Sequence, residues 1–205
     1  MKKTNAFTLA EILVTLVIIG VISAMTIPQL KKVSEEHSYV SATKKAYTTL
    51  TDLTRKLKTE YGPVKMWTGF SMLTAMKNEM NVANKSIEAY NILHLNGENS
   101  GLGITNSRSG FYTVDGVFWA VGDFSTVCDK VLEGVYTNAC RIFYVDINGK
   151  SAPNIIGVDV HGFYLTNQGL FPFGAGEGIS TPDCSKTGTG LGCTARIISE
   201  GKISW

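Results

Sequence analysis

The sequence predicts an α+β fold in which a long N-terminal helical spine packs on a small C-terminal antiparallel sheet. Three observations predict it. An apolar run occupies Phe7 to Ile27, a helical pattern resumes beyond Pro28, and from Phe111 the pattern changes to short strands divided by Gly- and Asn-containing turns. With 205 residues the chain can hold one ordinary core plus an accessory segment, so a single head is expected. Charged residues make up 18%, apolar residues 44%, and glycine is plentiful at 21, which together point to a turn-rich folded chain and away from disorder.

The run FTLAEILVTLVIIGVISAMTI is 21 residues long and carries one charge, Glu11. At about 1.5 Å per helical residue it reaches about 31 Å, the thickness of a bilayer's hydrocarbon core. A secretory signal peptide fits it poorly. The apolar stretch is too long, it contains a carboxylate, and the nearest small-residue site, Ile22-Ser23-Ala24, has Ile where a small residue is needed. Periodicity alone does not separate a processed segment from a permanent single-span anchor; Glu11 does. An ionised carboxylate in a helix within lipid is costly even on gentle insertion scales, so an isolated anchor has no use for it. Cleavage between Ala6 and Phe7 gives Phe7 a free amine, and a staggered neighbour's amine can then pair with Glu11. Taken alone, Glu11 also fits a carboxylate snorkelling to one membrane face, and Pro28 the end or kink of a membrane helix.

KKTNA followed by FTLAEILVTLVIIGVISAMTIP resembles the prepilin-type cleavage and methylation segment of type IV pilins and type II secretion pseudopilins. The resemblance covers about 28 residues, with leader, cut site, Phe7, Glu11, Gly20 and Pro28 in register. It implies a leader over residues 1–6, removed by a prepilin peptidase, and N-methylation of Phe7. Residues 7–28 then form a transmembrane and assembly helix. Gly20 and Pro28 fall where the family often has a glycine and a proline flanking a stretch that unwinds in the filament. Ala6 departs from the usual glycine before the cut, a change that bears on cleavage efficiency. The implied function is that of a structural subunit, not an enzyme, in a type IV pilus-like or type II secretion filament. Its implied partners are copies of itself or homologous subunits, the peptidase, an inner-membrane assembly platform and membrane lipid. The implied location is the bacterial inner membrane, N-terminus cytoplasmic and head extracytoplasmic, with assembly into a periplasmic or cell-surface filament. The alternative is a minor pilin or single-span binding protein that recognises a surface, DNA or an exported substrate.

Beyond Pro28, Leu30, Val33, Val40, Tyr47, Leu50, Leu53 and Leu57 recur mostly at helical spacings, with Lys31, Lys32, Glu35, Glu36, Lys44, Lys45, Arg55 and Lys56 on other faces. This predicts the amphipathic half of the spine over 29–61, ended by Gly62-Pro63. A fully helical spine is about 80 Å long. Residues 62–205 form the expected head. Phe70 to Met80 read as a short helix, and Met66, Met72, Met76 and Met80 as core filling. The Asp115-Gly116 pair between FYTV and VFWAV predicts a hairpin with a two-residue turn. CRIFYVDING at 140–149, VDVHGFYLT at 158–166 and LFPF at 170–173 read as further strands.

The segment YVDINGKSAPNIIGVDVHGFYLTNQGLFPFG is similar, more loosely, to the C-terminal region of bacterial pseudopilin-like proteins. Some of those hold calcium in a C-terminal loop, which makes Asp146 and Asn148 the candidate ligands here. The remaining EF-hand ligands are absent at their spacings, and an Asx-turn explains the same residues, so no cofactor is expected.

Cys128, Cys140, Cys184 and Cys193 all fall in the head. Exported, they allow three full connectivities, and local closure favours Cys128 with Cys140 and Cys184 with Cys193. Neither C-x-x-C nor clustered His suggests zinc. His37, His94 and His161 are scattered without a nucleophile motif and read as surface or packing residues. The TGTGLG run at 187–192 reads as a flexible loop between cysteines, and Asn84-Lys85-Ser86 matches a glycosylation sequon. Formal charge is +2, and losing Lys2 and Lys3 leaves 17 basic against 17 acidic side chains. That balance gives no electrostatic case for nucleic acid.

Overall fold

The computed structural model describes residues 8–67, 72–102, 110–125, 127–128, 130–132, 136–175 and 183–205. The fold is α+β, with an apolar N-terminal helix followed by an antiparallel sheet. The chain divides into two compact units, one up to Ser38 and one from Tyr39 to Trp205.

The first unit is the N-terminal part of helix α1 (Leu9–Tyr61). None of its described side chains is buried, and Leu9, Leu13, Val17, Ile19 and Met25 are all largely exposed. Its mean hydropathy reaches 2.3 over 18 residues, enough by length and composition to cross a membrane. The hydroxyls of Thr15 and Thr26 donate to the carbonyls of Ile12 (2.9 Å) and Ile22 (3.0 Å), so neither polar group needs water. Pro28 lies inside the helix and has no N–H to offer the Ala24 carbonyl one turn earlier. After it come the exposed i,i+4 pairs Lys31–Glu35 and Lys32–Glu36, at 3.7 and 4.0 Å, whose contribution is small at such exposure.

In the second unit, α1 buries Val40, Thr43, Ala46, Leu50, Leu53, Thr54 and Leu57, a stripe at three- and four-residue spacing. Leu30 and Val33 share the sequence pattern but are exposed. Gly62 ends the helix with φ +78° and donates its N–H to the Lys58 carbonyl (3.0 Å), a left-handed cap open to glycine. A short 3₁₀ turn (Val64–Met66) and helix α2 (Met72–Glu79) follow. Met72 and Met76 fill the core as expected. Met80 is half-buried, and Met66 is 63% exposed because it sits on the outer side of the 3₁₀ turn.

The main sheet has the order β1-β2-β5-β6-β7, antiparallel throughout: β1 (Gly110–Tyr112), β2 (Phe118–Phe124), β5 (Arg141–Asp146), β6 (Val160–Leu165) and β7 (Leu170–Pro172). A separate hairpin joins β3 (Lys130–Leu132) and β4 (Tyr136–Ala139), neither of which the alternation of apolar residues predicts. Phe143, Val145, Phe163 and Leu165 join the stripe of α1 in one apolar cluster, and Tyr47 stacks on Phe163 at 6.0 Å. Ile142, Tyr164 and Phe173 form another, as strand alternation requires. Every residue of β6 is buried, which explains its nearly continuous apolar character. Gly162 in β6 has a steric reason: a Cβ there would lie 2.3 Å from the Phe173 ring.

The β1–β2 turn differs from expectation. Thr113 N–H donates to the Val117 carbonyl and Gly116 N–H to the Thr113 carbonyl, both at 2.9 Å, so the loop is the three residues Val114-Asp115-Gly116. Only Gly116 has positive φ (+88°), whereas the two-residue turn needs it at both positions. The 187–192 run is also not a free loop. Asp183 Oδ1 accepts the N–H and hydroxyl of Thr189, and its Oδ2 accepts Gly192 N–H at 2.7 Å. Helix α3 (Cys193–Glu200) begins immediately after it.

Candidate assembly site at the helix start

The sequence Thr8-Leu9-Ala10-Glu11 meets the requirement for a reciprocal N-terminal cap, a hydroxyl residue with a carboxylate three positions on. The structure forms it. Glu11 Oε2 accepts the backbone N–H of Thr8 at 2.8 Å and its hydroxyl at 2.9 Å, while Glu11 N–H donates to Thr8 Oγ1 at 3.2 Å. Two amides that the helix leaves without partners are thereby satisfied, and the carboxylate sits where the helix dipole favours negative charge. Thr8 was not singled out in the sequence, although the T-x-x-E spacing marks it.

Glu11 is exposed, so its carboxylate is open to a further cationic partner beyond Thr8. Gly20 and Pro28 lie on the same helix; a Cβ at Gly20 would meet nothing within 4 Å. Ala6 and Phe7, the expected cut-site residues, lie outside the described residues, as does the 1–6 leader.

The four cysteines, Asp146, Asn148, His94, His161 and the Asn84-Lys85-Ser86 sequon lie in the head, whereas His37 is exposed on α1. Cys128 is disulfide-bonded to Cys140 and Cys184 to Cys193. Asp146 and Asn148 are held in an Asx-turn, Asn148 N–H donating to Asp146 Oδ1 at 3.3 Å. The other Asp146 oxygen accepts the Tyr90 hydroxyl at 2.6 Å. Asp159 stands nearby in the same network, accepting Asn154 N–H (2.8 Å) and Ile155 N–H (2.7 Å). Burial pushes Asp146 up to about 8, the Tyr90 bond opposing it and the Asp159 charge adding to it. Burial likewise raises Asp159 and Tyr90. Among the described residues no cluster of three or more His, Cys, Asp or Glu is arranged to hold a metal. His94 is half-buried with Nδ1 2.9 Å from the Thr189 carbonyl. His161 is fully buried with neither ring nitrogen in hydrogen-bond geometry, and burial drives it down to about 3 against a weaker opposing effect of the Val158 backbone. Asn84, Lys85 and Ser86 are exposed.

Residues 1–27 match the family described as the prokaryotic N-terminal methylation motif. No curated protein and no solved structure matches the chain. The match ends before Pro28, so the head's kinship is not carried by it.

Proposed function

We propose that this chain, whose first 27 residues carry the prepilin-type signature of type IV pilins and pseudopilins, is a structural subunit of a helical filament. The observation that carries the reading is the coincidence of that motif with an apolar helical unit none of whose described side chains is buried. So much apolar surface needs a cover, and lipid before assembly and other subunits after it both supply one.

The mechanism is assembly. Cleavage between Ala6 and Phe7 removes the leader with Lys2 and Lys3 and creates a cationic terminus at Phe7. That amine meets the Glu11 carboxylate of a neighbouring subunit and sets the stagger between adjacent helices. A charge pair removed from water in this way carries register more than net stability. The missing hydrogen bond at Pro28 marks where α1 can open within the filament. The head lies on the extracytoplasmic side, an oxidising environment in which its two disulfides persist.

The test is the intact mass and N-terminal sequence of membrane-derived protein, made with and without an active prepilin peptidase. A chain beginning at methylated Phe7 only when the peptidase is active is the expected result. An intact Met1 start in both preparations, or a cut near Ala24, overturns the reading.

A further inference from the structure

The first charges on α1 after Glu11 come as a block, Lys31 and Lys32 followed by Glu35 and Glu36; residues 12–30 carry none. Each lysine stands four positions before its glutamate, at 3.7 and 4.0 Å, and the four side chains are between 38% and 79% exposed. Contacts longer than a hydrogen bond and this open to water are readily exchanged for better ones.

The same offset, a cation four positions before an anion, separates the amine of Phe7 from Glu11. Lys32 follows Phe7 by 25 residues, and Glu36 follows Glu11 by 25 residues. Glu11 and Glu36 both lie within α1, where that spacing is within about 20° of seven full turns. Glu36 therefore shares the helix face of Glu11, about 38 Å further along. A bilayer's hydrocarbon core of about 30 Å fits between the two carboxylates. Between them the same face carries Ile18, Ile22, Met25 and Gln29, all exposed, at the alternating four- and three-residue spacing of a helix-packing seam.

We propose that Lys32 and Glu36 form a second contact between copies of this chain, Lys32 of one copy pairing with Glu36 of its neighbour, seven turns beyond the Phe7–Glu11 pair. The contact rests on the filament reading and extends it to the far end of the apolar run. A neighbour whose amine is level with Glu11 is displaced along the axis by four residues, about 6 Å. All its residues share that displacement, so its Lys32 comes level with Glu36. Two copies that open alike near Pro28 keep the match, because equivalent residues move together. Lys31 and Glu35, about 100° round the helix, repeat the offset on the adjoining face. Before assembly each lysine has its own chain's glutamate, and in the filament the neighbour's, so neither state leaves a charge without a partner. Apolar side chains tolerate sliding along a seam, whereas charge pairs at both ends of it select one register.

The experiment separates a contact between chains from one within a chain. Filaments are sheared from cells producing full-length Lys32→Glu, full-length Glu36→Lys, or the two variants together, and their yield is read against protein shown by intact mass to begin at Phe7. Each variant alone sets like charges against each other at every interface, and its yield should fall roughly tenfold. Produced together, both chains still carry like charges within each helix. Opposite charges then meet only where the two chains alternate, the new carboxylate of one against the new ammonium of the other. Yield from the mixture should return to within about twofold of the parent. Parent-level yield from the single variants, or no recovery in the mixture, overturns the second contact and leaves the filament reading in place. A parent that yields no filaments overturns both.

Discussion

Two residues three positions apart carry most of the chemistry at the N-terminal end of α1. Glu11 is the residue proposed to meet a neighbour's amine, and Thr8 holds its carboxylate through two hydrogen bonds. Glu11→Ala should therefore be processed normally but enter filaments poorly, measured as the sheared-fraction yield against total processed protein. Thr8→Val keeps the carboxylate but loses the hydroxyl, so filament yield should fall less, while amide exchange in the first turn quickens. Equal filament yield in Glu11→Ala and the parent would remove the registry role. In the head, two buried groups set opposing pH dependences. His161, near 3 when folded against an ordinary 6.5, contributes stability present above about 6.5 and lost as pH falls toward 3. Asp146, near 8 when folded against an ordinary 3.8, contributes stability present below about 3.8 and lost as pH rises through 8. The His161 and Asp146 slopes oppose each other between about 4 and 6.5; above that His161 no longer contributes, and Asp146 acts with Asp159, which burial raises in the same direction. Head stability in urea should fall more steeply between pH 6.5 and 8 than between pH 4 and 6.5, by at most about 1.4 kcal/mol per pH unit for each raised carboxyl. In His161→Leu the fall should begin near pH 4, and in Asp146→Asn it should be smaller than in the parent. A parent whose stability rises from pH 6.5 to 8 contradicts the assignment.

At the scale of elements, the C-terminal loop is secured twice. The Cys184–Cys193 disulfide closes it covalently, and Asp183 ties Thr189 and Gly192 by hydrogen bonds that do not involve sulfur. A disulfide acts mainly by restricting the unfolded chain, so a loop this short contributes about 3 kcal/mol. The Cys184→Ser/Cys193→Ser variant should lose about that much in urea unfolding, yet Thr189 and Gly192 amides should stay protected from exchange. Loss of their protection would mean that Asp183 alone does not hold the loop. The β1–β2 hairpin shows how far an element can be read locally. Asp115-Gly116 correctly announced a reversal between two strands. The choice of three loop residues depends on which carbonyl receives Gly116 N–H, and that is the Thr113 carbonyl once β1 and β2 are in register.

For the whole molecule, the decisive feature is that the two units bury apolar surface differently. The head from Tyr39 onward has its own clusters, centred on Leu50, Met76, Phe143 and Phe163, whereas no described side chain up to Ser38 is buried. A fragment comprising Tyr39–Trp205 should therefore fold without detergent and unfold cooperatively, with near-UV circular dichroism equal to that of the head in the full chain. The full chain should need detergent or lipid. A molten fragment, with helical signal but no near-UV spectrum, would mean that residues before Tyr39 complete the core.

The sequence by itself determined the helical start, the membrane-length apolar run, the methylation motif and the change to strands at Phe111. Each is a local pattern: a 3.6- or 2-residue period, a capping spacing or a turn dipeptide. Tertiary structure decided which apolar residues of α1 are covered: Leu30 and Val40 look alike in sequence, yet Val40 is buried and Leu30 exposed. It also decided the β3–β4 hairpin, Asp183's hold on the loop ahead of α3, and the stacking of Tyr164 on Phe171. Each of these brings together residues distant in the chain or depends on strand register, and local periodicity carries no record of which partner a strand or loop will find.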